Sequence, residues 1–135
     1  MIEVHNDATD DLRGIQKANP DDFAKLVVFV QQIKADKLLT EKLLENGYGS
    51  NWSEPISVKK WISPSKIEHI PLWRLRSMEL EKHGLKYRFI YFYHYPTRKY
   101  IIMGVVRRDE FDYDDTSNEI RKRIINTIKS EFSIF

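Results

Sequence analysis

From residue 56 to residue 108 the chain is written in runs of β-branched and aromatic residues broken by turn signals, and a stretch of that kind has to form a sheet. Residues 56–62, 67–78, 86–95 and 99–108 read as strands. Ser63-Pro64 ends the first, while His83-Gly84 and Pro96-Thr97 separate the last three. Short turns between such runs predict a meander of antiparallel strands.

The flanking segments follow a different spacing. Residues 1–5 alternate and predict an opening strand. Ala8, Leu12 and Ile15 recur at helical intervals, and Asn19-Pro20 then stops that helix and starts another, since Asn caps well and Pro is tolerated in a first turn. Phe23, Leu26, Val27, Val30 and Ile33 give the second helix one apolar face. A third helical piece over residues 40–45 stops at Asn46-Gly47, and residues 47–55 read as a loop. Thr116 and Glu119 fit a capping box for a last helix whose apolar face is Ile120, Ile124, Ile125 and Ile128. The expected fold is α+β: an N-terminal strand and helices packed on one face of a small antiparallel sheet, then a C-terminal helix. A chain of 135 residues predicts one domain, 1–135.

Charge is distributed unevenly along this plan. Residues 56–108 hold 12 Lys/Arg against 3 Asp/Glu, whereas residues 1–55 hold 6 against 10 and residues 109–135 hold 4 against 7. A basic block on the strands between acidic flanks predicts a surface that faces a polyanion. The chain has no cysteine, which excludes disulfides, thiol nucleophiles and cysteine-bound metals. The start MIEVHNDATD lacks the basic and apolar regions of a signal peptide, and no apolar run reaches the ~18 residues of a membrane helix. A cytoplasmic protein without a membrane partner is therefore expected.

Arg74 and Arg76, two apart on one strand, must point to the same face. Arg88 lies on the next strand, and Arg107-Arg108 ends the one after. Guanidinium groups stay charged and offer paired donors to phosphate oxygens, so this set can hold an RNA backbone and stabilise a phosphoryl-transfer transition state. The other reading is that these arginines pair with acidic helices. Aromatic residues are interleaved with the charge, among them Trp73, Tyr87, Tyr91, Tyr93, Tyr95, Tyr100, Phe111 and Tyr113. Unpaired bases stack on such rings, yet most strand aromatics are core: Tyr87, Phe89 and Tyr91 are assigned to one face and Phe92 to the other. Tyr113 stands apart, in a polar segment past the last strand.

The remaining chemistry is sparse. His5, His69, His83 and His94 share no motif spacing, and no metal motif or glycine-rich phosphate loop is present, so neither metal nor cofactor is expected. His94, near a strand end, is the histidine that could approach the site. Residues 109–115, DEFDYDD, hold five acids in seven positions. Three readings stay open for them: capping the last helix, a metal site, or Asp112 or Asp114 acting as a base or orienting an arginine.

The order of elements, the WRLR strand (73–76), the YRFIY strand after a glycine turn (87–91) and the strand end VVRRDEFDYD (105–114) resemble toxins of the RelE/ParE superfamily from type II toxin–antitoxin systems, nearest to the RelE-like and HigB-like branches. The likeness covers residues 56–128 in motif detail. It implies a RelE/ParE-like fold, a cognate antitoxin as partner, and a ribosome-dependent endoribonuclease that cuts messenger RNA by attack of a 2′-hydroxyl on the adjacent phosphate without metal, inhibiting translation. Carried over by position, the catalytic set is Arg74, Arg76, Arg88, Arg108 and Tyr113, with Arg107, Lys86 and Trp73 as RNA contacts.

In that assignment Arg88 and Arg108 neutralise the scissile phosphate, Arg74 or Arg76 activates the hydroxyl or holds the neighbouring phosphate, and Tyr113 stacks on a base or donates a proton. Arg74 and Arg76 stand where lysines could act as base, and arginine is a poor base with a pKa above ~12. Either a carboxylate takes that role, or catalysis rests on positioning and charge, or the activity is lost. The same fold also hosts inhibitors of DNA gyrase that act by protein contact, and relatives that only bind an antitoxin.

Overall fold

The computed structural model describes residues 1–132; the last three residues of the expected domain, 133–135, lie outside the described residues. The elements run β1 (Ile2–Val4), α1 (Asn6–Ala18), α2 (Pro20–Ala35), α3 (Lys37–Thr40), β2 (Ile56–Trp61), α4 (Ile62–Ile67), β3 (Leu72–Ser77), α5 (Met78–Lys82), β4 (Tyr87–His94), β5 (Lys99–Arg107), a 3-10 turn (Arg108–Glu110) and α6 (Glu119–Glu131). The strands form one sheet in the order β1-β5-β4-β3-β2. The α+β class is as expected, but two features of the expected layout are corrected.

First, the sheet is mixed. Strands β2 to β5 are antiparallel to their neighbours, whereas β1 runs parallel to β5, with Ile2 opposite Tyr100. Parallel neighbours cannot be joined by a tight turn, and residues 5–98 separate these two strands. β1 pairs with only part of the β5 edge. Beyond it the Asp11 carboxylate accepts from the Val105 amide at 3.0 Å, and Arg123 donates to Asp11 and to the Met103 carbonyl. Helices α1 and α6 thereby satisfy edge groups that would otherwise invite another strand.

Second, helices cover both faces. Val58, Leu75, Phe89, Tyr91 and Val105 pack with Leu12, Leu26, Phe29 and Val30 of α1 and α2. Leu72, Ile90, Phe92, Met103 and Val106 point the other way and pack with Ile124, Ile125 and Ile128 of α6. The expected separation of Tyr87, Phe89 and Tyr91 from Phe92 is observed. Strands apolar at successive positions need cover on both sides, and β4 and β5 are of that kind.

Local capping accounts for the shifted boundaries. Ile62, Ile67 and Met78, expected at strand ends, lie instead in helices α4 and α5; Pro64 sits in the first turn of α4, and the Ser77 hydroxyl accepts from the Leu80 amide. The third helix falls at Lys37–Thr40 because the Asp36 carboxylate accepts from the Leu38 and Leu39 amides. Asn118, not Thr116, caps α6, accepting from Ile120 and Arg121 at 2.9 and 3.1 Å. Arg121 of α6, only 1% exposed, grips both carboxylate oxygens of Glu68 at 3.0 Å and the Ser63 hydroxyl, so it ties α4 to α6.

Gly47 and Gly49 place the 47–55 loop against β2, both at positive φ. A Cβ on Gly49 would lie 1.8 Å from the Ile56 carbonyl oxygen, itself part of the backbone. Gly49→Ala is therefore expected to lower the unfolding free energy by more than about 1 kcal/mol, with a matching drop in the thermal midpoint. An unchanged midpoint would show that the loop can move away from β2.

Candidate functional site

Helix α6 covers only part of its face of the sheet. The part left open is a cleft of about 560 Å³, to which α6 contributes no residue. Alternation places Ser57 and Lys59 of β2, Arg74 and Arg76 of β3 and Arg88 of β4 on this face. Register places Ser57 opposite Arg76 and Lys59 opposite Arg74. Arg108, just past β5, and the segment 111–114 close the far side, with Lys60, Trp61, Ile62 and Ser63 along the β2 end. The five residues expected to form the catalytic set, Arg74, Arg76, Arg88, Arg108 and Tyr113, thus line one cavity.

They are not equivalent within it. Arg88 is buried and grips Glu81 with two guanidinium nitrogens, each at 3.0 Å. Arg76 reaches the same carboxylate at 3.2 Å. The side chains of Arg88 and Glu81 are 8% and 4% exposed. The pairing with an acidic helix that the sequence left open is therefore realised for two arginines, through Glu81 of α5. Arg108 differs: it is exposed and makes no ion pair among the described residues. It is free to meet a ligand anion.

Arg74 lies over the Tyr113 ring, 4.2 Å from its centroid, and Trp61 and Phe111 meet that ring in T-shaped contacts. The Trp61 indole N–H donates to the Tyr113 carbonyl at 2.8 Å, fixing the segment in place. Tyr113 is thus a wall residue, its ring packed against Trp61 and Phe111 with the Arg74 guanidinium over it. Its hydroxyl is buried without a hydrogen-bond partner. Burial pushes that phenol above its ordinary value, with Arg74 and Arg88 opposing, so it remains protonated.

Lys59 is the functional candidate that the sequence reading missed. Lys59 is exposed, and partial desolvation, then repulsion from Arg74, Arg76, Arg88 and Arg108, pushes its amine below the usual lysine value. The signal was present in ISVKKW, where buried Ile56 and Val58 put Ser57 and Lys59 on the other face. What the sequence lacked was the β2–β3 register that sets Lys59 beside Arg74. Glu81 was likewise hidden, since no helix was expected over residues 78–82, where α5 turns Glu81 toward Arg88.

Three expected RNA contacts lie elsewhere. Trp73 alternates to the opposite face and packs against the α1–α2 core. Arg107 also points there, 6.0 Å over the Tyr87 ring, with its charge near Asp109 and Glu110. Lys86 is exposed ahead of β4 and does not line the cleft. Nor does any histidine: His94 is buried against Phe92 and bonded to Thr97, and His83 is exposed. Asp112 and Asp114 do line it, but Asp112 accepts from the Asp114 amide and Asp115 from Ser117, so none of them caps α6. Among the described residues no group of three His, Asp or Glu is arranged to hold a metal ion. No helix among them is long and apolar enough to cross a membrane.

Comparison of the chain with family models, with curated proteins and with solved structures finds no match in any of the three.

Proposed function

We propose that the chain is the toxin of a type II toxin–antitoxin pair, a RelE-like endoribonuclease that cleaves messenger RNA on the ribosome and is held in check by an antitoxin protein. The observation that carries this reading is the convergence of Lys59, Arg74, Arg76, Arg88 and Arg108 on one cleft that also holds a protonated, unpartnered tyrosine. A protein that acts only by surface contact with a partner, as a gyrase inhibitor would, has no use for cations gathered into a concavity.

The chemistry this set suits is internal transesterification. The 2′-oxygen of a ribose bonds to the adjacent phosphorus, the bond from phosphorus to the 5′-oxygen of the next nucleotide breaks, and the products are a 2′,3′-cyclic phosphate and a 5′-hydroxyl. Lys59, in its neutral form, takes the 2′ proton; no arginine can do so. Arg108 and Arg74 meet the phosphate oxygens as negative charge builds, and Arg88, locked by Glu81, holds a fixed positive field behind them. The Tyr113 hydroxyl supplies the proton for the leaving oxygen once Arg74 turns from its ring to the phosphate.

Two variants probe these roles separately. Arg108→Ala removes an exposed, unpaired cation, so the thermal midpoint is expected to hold while RNA binding weakens and its dependence on salt becomes shallower by about one charge. Equal salt slopes for the two proteins would remove Arg108 from the phosphate site. Tyr113→Phe deletes a buried hydroxyl near the Arg74 guanidinium that has no hydrogen-bond partner of good geometry among the described residues, and is expected to change stability little. Cleavage should nevertheless slow by roughly 10²–10⁴-fold if the hydroxyl is the acid; undiminished cleavage would assign that proton to solvent.

The overall reading is tested with purified ribosomes programmed with a defined message. Cleavage that yields a cyclic phosphate and stops when a 2′-deoxynucleotide replaces the target supports it. An intact message, together with inhibited gyrase supercoiling, would transfer the assignment to the gyrase-directed class.

A further inference from the structure

Within the cleft the Tyr113 ring is walled by Trp61 and Phe111, and a more exposed aromatic surface stands just outside it. Trp52 is 48% exposed, whereas Trp61 is 3% exposed and Trp73 packs against the core. A large exposed indole is unusual enough to ask what it meets. The Arg76 guanidinium lies over its ring, 5.3 Å from the centroid, and Arg76 also lines the cleft. One side chain therefore joins the anionic site to the indole.

The loop that carries Trp52 is braced. The Gly47 amide donates to the Val58 carbonyl and the Val58 amide to the Tyr48 carbonyl, each at 2.9 Å. The Tyr48 hydroxyl donates to Glu54, and the Ser53 amide and hydroxyl both donate to the Asn51 side chain. Within this frame Trp52 takes a φ of 67°, a left-handed conformation that costs a bulky residue free energy and that surrounding contacts must enforce. The frame holds the indole out in solvent instead of letting it fold onto the core.

We infer that Trp52 and Arg76 form a stacking subsite for an unpaired nucleobase, adjoining the phosphate cleft. This rests on the RNA reading above and adds to it that the substrate is single-stranded at this position. A nucleotide carries its base and phosphate on one ribose, so a stacking platform has to adjoin the phosphate site, and Arg76 spans the two. A planar guanidinium over an indole extends the platform, since both surfaces accept the face of any base.

The test is a titration of the full-length protein with a short 2′-O-methyl RNA strand, which cannot be cleaved, and with an abasic strand of equal length. Tryptophan emission and binding are read for the wild type, Trp52→Phe and Trp52→Ala. The base-bearing strand is expected to quench the wild-type emission and the abasic strand to leave it unchanged. Trp52→Ala should weaken binding of the base-bearing strand by roughly 5- to 150-fold while leaving the abasic strand unaffected, with Trp52→Phe in between. Equal affinity of Trp52→Ala and wild type for the base-bearing strand would overturn the subsite while the cleft reading stands, and would leave the indole as a contact for a protein. Equal weakening for both strands would also overturn it, because the loss would then lie in the phosphate site. Absence of binding by either strand would overturn both the subsite and the RNA reading on which it rests.

Discussion

Arg88→Ala is expected to lower the unfolding free energy by about 3–5 kcal/mol, the cost of leaving a buried carboxylate without its partner. Glu81 is 4% exposed on its side chain, and Arg88 supplies two of the three guanidinium contacts it receives. Arg76 stays at 3.2 Å and offsets part of the loss, so the lower half of that range is the better expectation. Urea unfolding followed by circular dichroism reads this directly, and a shift under 1 kcal/mol would mean that water or Arg76 takes over the pairing.

The consequence is practical: loss of activity in Arg88→Ala alone proves nothing about chemistry, because the fold is damaged with it. The pair has to be replaced together. Arg88→Met with Glu81→Met puts apolar side chains where two charges were, an exchange that is often neutral. Stability should largely return in the double variant, while cleavage should stay low because the fixed positive field is gone. Cleavage restored with stability would make the Arg88–Glu81 pair a structural fastening and nothing more.

The second large effect falls on Lys59. Lys59→Gln keeps the size and polarity of the side chain and removes the proposed proton acceptor, so on that proposal cleavage should fall by roughly 10²–10⁴-fold. The pH dependence carries the more specific signature. An acceptor must be neutral, so the wild-type rate should rise with pH and level off above the lysine's folded-state value, which lies below 10.5. Lys59→Gln should lose that rise.

Stability should change in the opposite sense to activity. The folded state disfavours the charged amine, so protonation of Lys59 opposes folding below its folded-state pKa. This opposition fades as pH rises toward 10.5 and is gone above it. Lys59→Gln is therefore expected to be somewhat more stable than the wild type near neutral pH, with the difference vanishing as pH approaches 10.5. A variant less stable at every pH would show that the lysine is held by contacts rather than crowded by cations.

Much of this was legible in the sequence, and the reasons are specific. β4 could be read because Tyr87, Phe89 and Tyr91 alternate with Ile90 and Phe92, which pack on the other side. Placing Arg74, Arg76, Arg88 and Arg108 in one cleft needed only period-two alternation and the pairing of consecutive strands. What failed depended on partners distant in sequence. α6 could not be assigned to the second face without knowing that Ile124, Ile125 and Ile128 meet Phe92 and Met103. Lys59 needed the β2–β3 register, and Glu81 needed the turn of α5 that brings it beneath Arg88. The packing of Arg74, Trp61 and Phe111 around the Tyr113 ring likewise has no local sequence signal.

The proposed ribonuclease is tested most directly by a map of messenger RNA 5′ ends after a brief pulse of expression, made for the wild type, Lys59→Gln and Arg108→Ala side by side. Codon-spaced ends bearing 5′-hydroxyls are expected in the wild type, strongly reduced in Arg108→Ala and absent in Lys59→Gln, with all three proteins present at similar levels. Growth arrest with intact messages, or cuts that persist undiminished in Lys59→Gln, would contradict it.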